Sequence, residues 1–221
     1  MTRRLVLALD TSFGPVSAAL LSTDGDVLAH DCVQNAAGQQ AEILPPLVAR
    51  LFATCDASFD QLVRIVVATG PGAFTGVRVG IAFAKGLHIA TGADVVGLTS
   101  LDCLAAQARL RHPGSAVAVL IDAKRSEAFG LVTDAEGNHL LAPSLIAVSD
   151  LPAIFAPFSR STLILVGTGR ELVSLPNAQM AQPDIQAIDV LNLGRFGLRL
   201  SPSAHPAVPA YLRAPDARLP A

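Results

Sequence analysis

The sequence has few aromatic or charged side chains and no long apolar run. Tryptophan is absent, tyrosine occurs once, and charged residues make up 15% of the 221 residues, whereas apolar residues make up 51%. An average soluble domain carries about 25% charged residues. The surface therefore has few charges for a monomer, and the composition favours a chain with an apolar face that another protein covers.

Cysteine usage, net charge and the length of the apolar segments exclude several classes of protein. Cys32, Cys55 and Cys103 are far apart and form no C-x-x-C pair, so we expect a reducing cytoplasm rather than a disulfide framework or a zinc site. The net charge of −2 gives no global attraction to nucleic acid, and any such contact would be local or shared with a partner. The first apolar run ends at Asp10, too soon for a secretory signal. No run approaches the roughly 18 residues of a membrane span, and we expect no membrane contact.

The chain repeats one plan. An apolar run ends at Asp10, returns over residues 16–21 and turns at Gly25; a second run ends at Asp122, returns over residues 128–132 and turns at Gly137. The acid and the turn glycine are 15 residues apart in both copies (25 − 10 and 137 − 122). Each copy continues through helical sequence into an apolar strand and a glycine turn. Two such copies predict an α/β chain with the duplicated actin-like ATPase (ribonuclease H-like, ASKHA) fold, in two lobes.

We place the boundary between the lobes in the polar, turn-forming segment 111–115. The first lobe is then 1–110, and the second is 111–221. The second lobe is reduced, because only a short helical turn over 150–155 stands where the first lobe has a helix over 39–52. The Pro-rich end of the chain, which carries Tyr211, is predicted to be an irregular and mobile tail.

A glycine loop that links a strand to a helix is the strongest local signal, and it begins at Gly70. Free backbone N–H groups at such a helix start favour an anion. However, Val77-Arg78 stands where a Walker A loop needs Lys-Ser/Thr, and the G-x-G-x-x-G pattern is absent. We favour close packing over phosphate binding for these glycines. Gly70, Gly72 and Arg78 are kept as candidates for a residual nucleotide cleft.

Asp10, Thr11 and Ser12 follow the first strand, where actin-like ATPases place an acid and hydroxyls for metal and phosphates. Such hairpins usually have glycine beside the phosphate, whereas this one has Phe13. We favour the interpretation that these polar groups satisfy the backbone at the strand end. Weak residual nucleotide binding stays open, and no other cofactor is predicted.

The sequence predicts no catalytic residue and no metal site. The five histidines show no H-x-x-x-H or H-E-x-x-H spacing, the patterns that place two ligands on one helix face. No G-x-S-x-G turn and no pair of carboxylates stands out.

Two helices of the first lobe have faces of unusual composition. Gly72, Gly76, Gly80 and Ala84 recur every four residues, so one helix has a face almost without side chains, which lets another backbone come close. The neighbouring helix carries an apolar stripe over 43–52. Together they indicate a flat apolar surface for a partner, and the spacing is equally compatible with packing in the chain's own core.

Several motifs, in order over nearly the whole chain, resemble the TsaB (YeaZ) family. They are Leu7–Ser12, Ala41–Pro45, Gly70–Gly80, Gly97–Leu101, Ile121–Ala123 and Tyr211–Arg213. The resemblance implies a non-catalytic subunit in the synthesis of N6-threonylcarbamoyladenosine (t6A) in tRNA. Such a subunit pairs with the catalytic paralogue TsaD, is joined by the ATPase TsaE, contacts tRNA through the complex, and forms a homodimer when alone.

The resemblance also implies which helices form the pairing surface. The corresponding residues here are Gln40, Leu44, Leu47, Val48 and Leu51 in the first helix and Gly76, Gly80, Phe83, Ala84 and Leu87 in the second. Gln40 stands where family members often keep one histidine, which speaks against a metal. A long side chain at Gly80 is expected to block pairing and to leave the fold intact.

Two other functions compete with the scaffold role. A small ATP-dependent kinase of the actin-like superfamily would use Asp10 to hold a metal-bound water and the Gly70 loop to cradle phosphates. A metallopeptidase would need metal ligands that the sequence lacks.

Overall fold

Two five-stranded sheets form the framework of the protein in a computed structural model, which describes residues 3–12, 14–34, 36, 38–158, 163–173, 178–180 and 185–213. The first half of the chain contains β1 (Leu5–Asp10), β2 (Val16–Ser22), β3 (Val27–Val33), α1 (Gln40–Thr54), β4 (Leu62–Ala68), α2 (Phe74–Thr91), β5 (Asp94–Leu98) and α3 (Ser100–Arg111). The second half contains β6 (Ala116–Lys124), β7 (Glu127–Thr133), β8 (His139–Ala147), α4 (Leu151–Phe155), β9 (Leu163–Val166), β10 (Ala178–Met180) and α5 (Val190–Gly197).

Both sheets have the same strand order, which confirms the duplicated actin-like fold. The first sheet is ordered β3-β2-β1-β4-β5, and the second, read from its other edge, β8-β7-β6-β9-β10. In each, the first three strands form an antiparallel meander and the later strands add in parallel. The second copy is reduced, since α4 has 5 residues and α1 has 15.

The apolar strands are buried on both faces. In β1, Leu5, Leu7 and Leu9 face the core under α1 and α2, whereas Val6 and Ala8 face a second core under α5. This explains why β1 and β4 are almost continuously apolar rather than alternating. Pro45 and Pro46 lie within α1, and both are exposed. The prolines neither start the helix nor break it.

Each sheet is covered by one helix from the other half of the sequence, so the predicted domain boundary at 110/111 does not describe the packing. Helix α3, from the first half of the sequence, packs on β6, β7 and β9 of the second sheet, and α5, from the end of the chain, packs on β1, β2 and β4 of the first. Arg64 on β4 donates hydrogen bonds of 2.7–3.0 Å to the carbonyls of Gly197, the last residue of α5, and of Leu198 and Leu200, which follow it. These bonds tie the end of α5 to the first sheet.

The end of the chain is irregular, as predicted, but it is fixed to both lobes and is not a free tail up to Arg213. The Gly97 N–H donates to the His205 carbonyl at 2.9 Å, and the Ala210 N–H donates to the Thr69 carbonyl at 2.9 Å. Arg213 then donates to the Ala123 carbonyl at 3.0 Å and pairs with Glu127 on the second lobe. Within the described ranges, no helix is long and apolar enough to cross a membrane.

Candidate functional site

The polar end of β1 and the glycine loop meet in one compact cluster. The Thr11 hydroxyl donates to the Gly76 carbonyl at 2.7 Å, and the Ala73 N–H donates to the Ser12 carbonyl at 2.5 Å. The Ser12 hydroxyl also lies 3.1 Å from the Ser100 hydroxyl at the start of α3. The structure therefore brings the predicted Asp10–Ser12 segment and the loop after Gly70 together, but it does so through direct mutual contacts.

Glycine is required in α2 and its preceding loop because the β1 end lies where a side chain would be. A Cβ atom added to Gly72 would lie 2.2 Å from the Ser12 carbonyl oxygen, and one added to Gly76 would lie 2.0 Å from the Thr11 carbonyl oxygen. At Gly80 the distance to the Thr11 hydroxyl would be 2.4 Å. The four-residue spacing thus serves the approach of α2 to the chain's own first strand.

Asp10 is an unusual carboxyl group because it is buried at the centre of this cluster. Its side chain is 1% exposed, and one of its oxygens accepts hydrogen bonds from the Ser12 N–H at 2.7 Å and the Ser12 hydroxyl at 2.6 Å. Burial raises the pKa of Asp10 to about 6, and the hydrogen bonds from Ser12 oppose that rise. Loss of hydration disfavours the charged form more than two hydrogen bonds favour it.

The six candidates for a nucleotide cleft separate into two groups. Asp10, Thr11, Ser12 and Gly70 are buried and Gly72 is half-buried, whereas Arg78 is exposed. The Arg78 side chain lies over the Phe74 ring and donates to the Tyr211 hydroxyl. The cluster at the end of β1 therefore presents no exposed acid, and the predicted arginine is directed elsewhere.

Eight of the ten predicted pairing residues are core residues of the single chain, so their side chains do not form an exposed surface. Gln40, Leu44, Leu47, Val48, Leu51, Gly76, Gly80 and Ala84 are buried within the single chain. They face the first sheet, because the apolar stripe of α1 and the glycine face of α2 are the sides that pack on it. Phe83 and Leu87 are half-buried at the edge of that core. A long side chain at Gly80 would therefore disrupt the fold rather than leave it intact.

The opposite sides of the same two helices are exposed, and they carry Glu42 and Arg50 on α1 and Arg78 and Lys85 on α2 among mainly small or apolar residues. The small or apolar residues are Ala41, Pro45, Pro46, Ala49 and Ala53 on α1 and Thr75, Ala82, Gly86, Ile89 and Ala90 on α2. We call these ten residues the outer helix face. Sequence reasoning overlooked them because leucine and glycine spacing draws attention to the inner sides. The cue that could have found them is the recurrence of alanine, proline and glycine at positions that the helical period places outside.

The charged hairpin of the second lobe is a surface feature. Lys124 is exposed, and its ammonium group lies 2.6 Å from Asp122. The hydrogen bond from the Lys124 side chain, followed by one from its backbone N–H, holds the pKa of Asp122 below its usual value. Among the residues that the structure describes, no group of three histidine, cysteine or acidic side chains could hold a metal ion.

The family model and the named relatives that match this chain all carry names from tRNA threonylcarbamoyladenosine synthesis. The family model described as TsaD, tRNA N6-adenosine threonylcarbamoyltransferase, matches residues 34–155. The tRNA threonylcarbamoyladenosine biosynthesis protein TsaB of Bacillus subtilis is 34% identical over 124 residues, which cover 56% of this chain and 52% of that protein. An uncharacterized protein of Mycobacterium tuberculosis is 29% identical over 96% of this chain and 93% of its own length. A Mycobacterium leprae relative is 30% identical, and the match spans 56% of that longer protein.

Solved structures agree with the sequence relatives. YeaZ from Pseudomonas aeruginosa aligns with a TM-score of 0.74 and 27% identity over 95% of this chain and all of that one. The ethanolamine utilization protein EutJ from Carboxydothermus hydrogenoformans aligns with a TM-score of 0.50 at 12% identity, a likeness of fold alone. With a family model that matches more than half of its length and a YeaZ structure that aligns over nearly all of it, the chain belongs to the TsaB (YeaZ) family.

Proposed function

We propose that this protein is a non-catalytic, activating subunit in the synthesis of t6A in tRNA, and that it docks a TsaD-like catalytic paralogue. The named relatives are t6A biosynthesis proteins, and the matched family model is that of the threonylcarbamoyltransferase itself. A chain related to the transferase but without its chemistry would orient or stabilise the transferase.

The observation that carries the proposal is the way the potential catalytic groups bind one another. Asp10 accepts both of its hydrogen bonds from Ser12, and Thr11 donates to Gly76. A carboxyl group that holds a metal-bound water must face that water, yet this one is 1% exposed. The polar cluster thus links the end of β1 to α2 through hydrogen bonds, which supports a structural role over catalysis.

The outer helix face is the docking surface of this proposal. Its small side chains leave the two helix backbones close to the surface, so a partner helix can approach within short packing distance. Its prolines add rigid apolar area without a large loss of side-chain entropy on binding. Two charges lie on α1 beside this face: Glu42 is exposed, and Arg50 is paired with Asp31 at 2.9 Å.

The other partners follow from the same assignment. A TsaE-like ATPase joins the pair, tRNA is contacted through the complex, and the reaction takes place in the cytoplasm. Without the paralogue, the outer helix face pairs two copies of this chain, since a self-complementary patch of small residues suits a two-fold dimer.

A single substitution on the outer helix face tests the proposal. Ala82 is exposed on α2, so Ala82→Arg should fold normally and weaken binding to a TsaD-type protein at least ~30-fold, because a long charged side chain holds the helices apart. Ala142→Arg makes the same change at an exposed position of β8 in the second lobe and should bind as the wild type does. Isothermal titration calorimetry on the three proteins gives the affinities. Equal affinity for Ala82→Arg and wild type would refute docking through this face.

The competing kinase function has its own test. Hydrolysis of ATP by the purified chain, lost in Asp10→Ala, would favour it over the scaffold role. We expect no hydrolysis above background with either protein when the partner is absent.

A further inference from the structure

Arg78 is held in a fixed orientation by two aromatic residues from different parts of the chain. Its guanidinium carbon lies 3.6 Å from the centroid of the Phe74 ring, one helical turn earlier on α2. Its Nε donates a 2.8 Å hydrogen bond to the hydroxyl of Tyr211. Tyr211 is itself placed by the hydrogen bond from Ala210 N–H to the Thr69 carbonyl. The side chain has therefore lost much of its rotational freedom before any partner binds.

The fixed guanidinium leaves its two terminal nitrogens for another molecule. Arg50, Arg64 and Arg213 each pair with a carboxylate of this chain. Arg78 does not: over the described ranges its interactions are the Phe74 ring, the Tyr211 ring and the Tyr211 hydroxyl. A planar guanidinium with both terminal groups open matches a carboxylate in a bidentate pair.

The surroundings of Arg78 have the composition of an interaction anchor. Phe74 and Tyr211 are 54% and 53% exposed, in a chain whose aromatic content is 5%. Tyrosine and arginine are enriched among the residues that dominate binding energy at protein interfaces. Ala82 of the outer helix face lies one turn beyond Arg78 on the same helix, so the cluster adjoins that face.

We propose that Arg78, braced by Phe74 and Tyr211, is the specificity anchor of the docking surface and receives a carboxylate of the docked protein. This inference rests on the proposed function, because it names what one edge of the outer helix face recognises. Small apolar side chains supply contact area but little selectivity, whereas one oriented arginine fixes the register of the partner. An RNA phosphate is the less suitable occupant, since phosphate binding draws on several neighbouring cations and the nearest cation on the helix is Lys85, two turns away.

Charge reversal at Arg78 is the main test, with binding to a TsaD-type protein measured by calorimetry at low and high salt. Arg78→Glu should weaken binding at least ~30-fold, in the range of an interface hot spot. Arg78→Lys keeps the charge and should still weaken binding ~3- to 10-fold, because the bidentate geometry is lost. Lys85→Glu makes the same charge change on the same helix and should change affinity less than ~3-fold.

Tyr211→Phe gives an independent readout of the bracing. It removes only the hydroxyl that accepts from Arg78. Binding should weaken ~3-fold, because the Arg78 side chain is then less restricted before the partner binds. The affinity of the wild type should fall with added salt more steeply than that of Arg78→Gln.

The outcomes separate this inference from the proposed function. Loss of binding in Ala82→Arg with undiminished binding in Arg78→Glu overturns the anchor and leaves docking intact. Equal losses in Arg78→Glu and Lys85→Glu reduce the effect to general charge and also overturn the anchor. Unchanged protein binding with weaker tRNA binding by the Arg78→Glu complex would assign the arginine to RNA, against our proposal. If the wild type binds no TsaD-type protein at all, both proposals fail.

Discussion

Replacing Asp10 by asparagine should stabilise the protein at neutral pH, although it alters a buried polar cluster. In the fold, the pKa of Asp10 is raised from 3.8 to about 6. Since the folded pKa is above the unfolded one, the fold binds the proton more tightly, and the stabilisation is complete below about pH 3.8 and lost as the pH rises through 6. A difference of about two pKa units corresponds to about 3 kcal/mol of unfolding free energy lost at pH 7.5 relative to acid.

Asparagine removes this cost and keeps the acceptor. Its carbonyl oxygen can still accept from the Ser12 N–H and hydroxyl, which donate to Asp10 at 2.7 and 2.6 Å. Its amide nitrogen needs a new partner, which costs about 1–3 kcal/mol if none is found. The net gain in unfolding free energy at pH 7.5 should therefore be about 1 kcal/mol.

Urea unfolding of both proteins at pH 5 and pH 7.5 is the measurement. The pH dependence that all other groups contribute is common to both proteins and cancels in their difference. The advantage of Asp10→Asn should be larger at pH 7.5 than at pH 5 by about 1 kcal/mol, because wild-type Asp10 becomes mostly protonated at pH 5. An advantage that does not change with pH, or a mutant that is less stable by several kcal/mol at pH 7.5, would refute the assignment of a strained, buried carboxylate.

Two further predictions concern the packing of α2 and the end of the chain. Gly76→Ala should lower the unfolding free energy by about 3 kcal/mol or more, because its Cβ would lie 2.0 Å from the Thr11 carbonyl oxygen; Gly86→Ala, on the same helix with no atom within 4 Å of its Cβ, should raise it by about 0.5–1 kcal/mol. Chemical denaturation of the pair decides, and similar losses in both would contradict the packing argument. Arg213→Ala should lower the unfolding free energy by about 1–2 kcal/mol and speed hydrogen exchange at the Ala210 amide, because Arg213 fastens the chain end to Ala123 and Glu127. The exposed Arg199→Ala is its control, and equal exchange in the two variants would count against a fastening role.

The duplicated plan could be predicted from sequence because it depends on local order. Equal spacing from Asp10 to Gly25 and from Asp122 to Gly137 reflects two meanders whose middle strands both have 7 residues. A meander pairs strands that are neighbours in the chain. The exchange of α3 and α5 between the sheets could not be predicted in the same way. It depends on contacts between residues far apart in sequence, such as Arg64 with Leu198, for which no periodic pattern exists.

The glycine repeat of α2 was interpreted correctly as a site of close packing but was assigned to the wrong packing partner. The spacing correctly predicted a face of α2 that another backbone approaches closely, and sequence alone could not say whose backbone it was. The neighbour is the Thr11–Ser12 segment. A glycine repeat predicts that a helix face packs closely against another backbone, but it does not identify that backbone. The three-dimensional structure is needed to identify it.

The position of α5 has a consequence for how the protein is made. The face of the first sheet that carries Val6, Ala8 and Val66 is covered by a helix that begins only at Val190. During translation from the N-terminus, this apolar face stays uncovered until the segment Val190–Gly197 has left the ribosome. The apolar face of the first sheet is therefore protected from water only after the second lobe has been synthesised. A polypeptide that ends between the lobes would leave this face exposed and prone to aggregation.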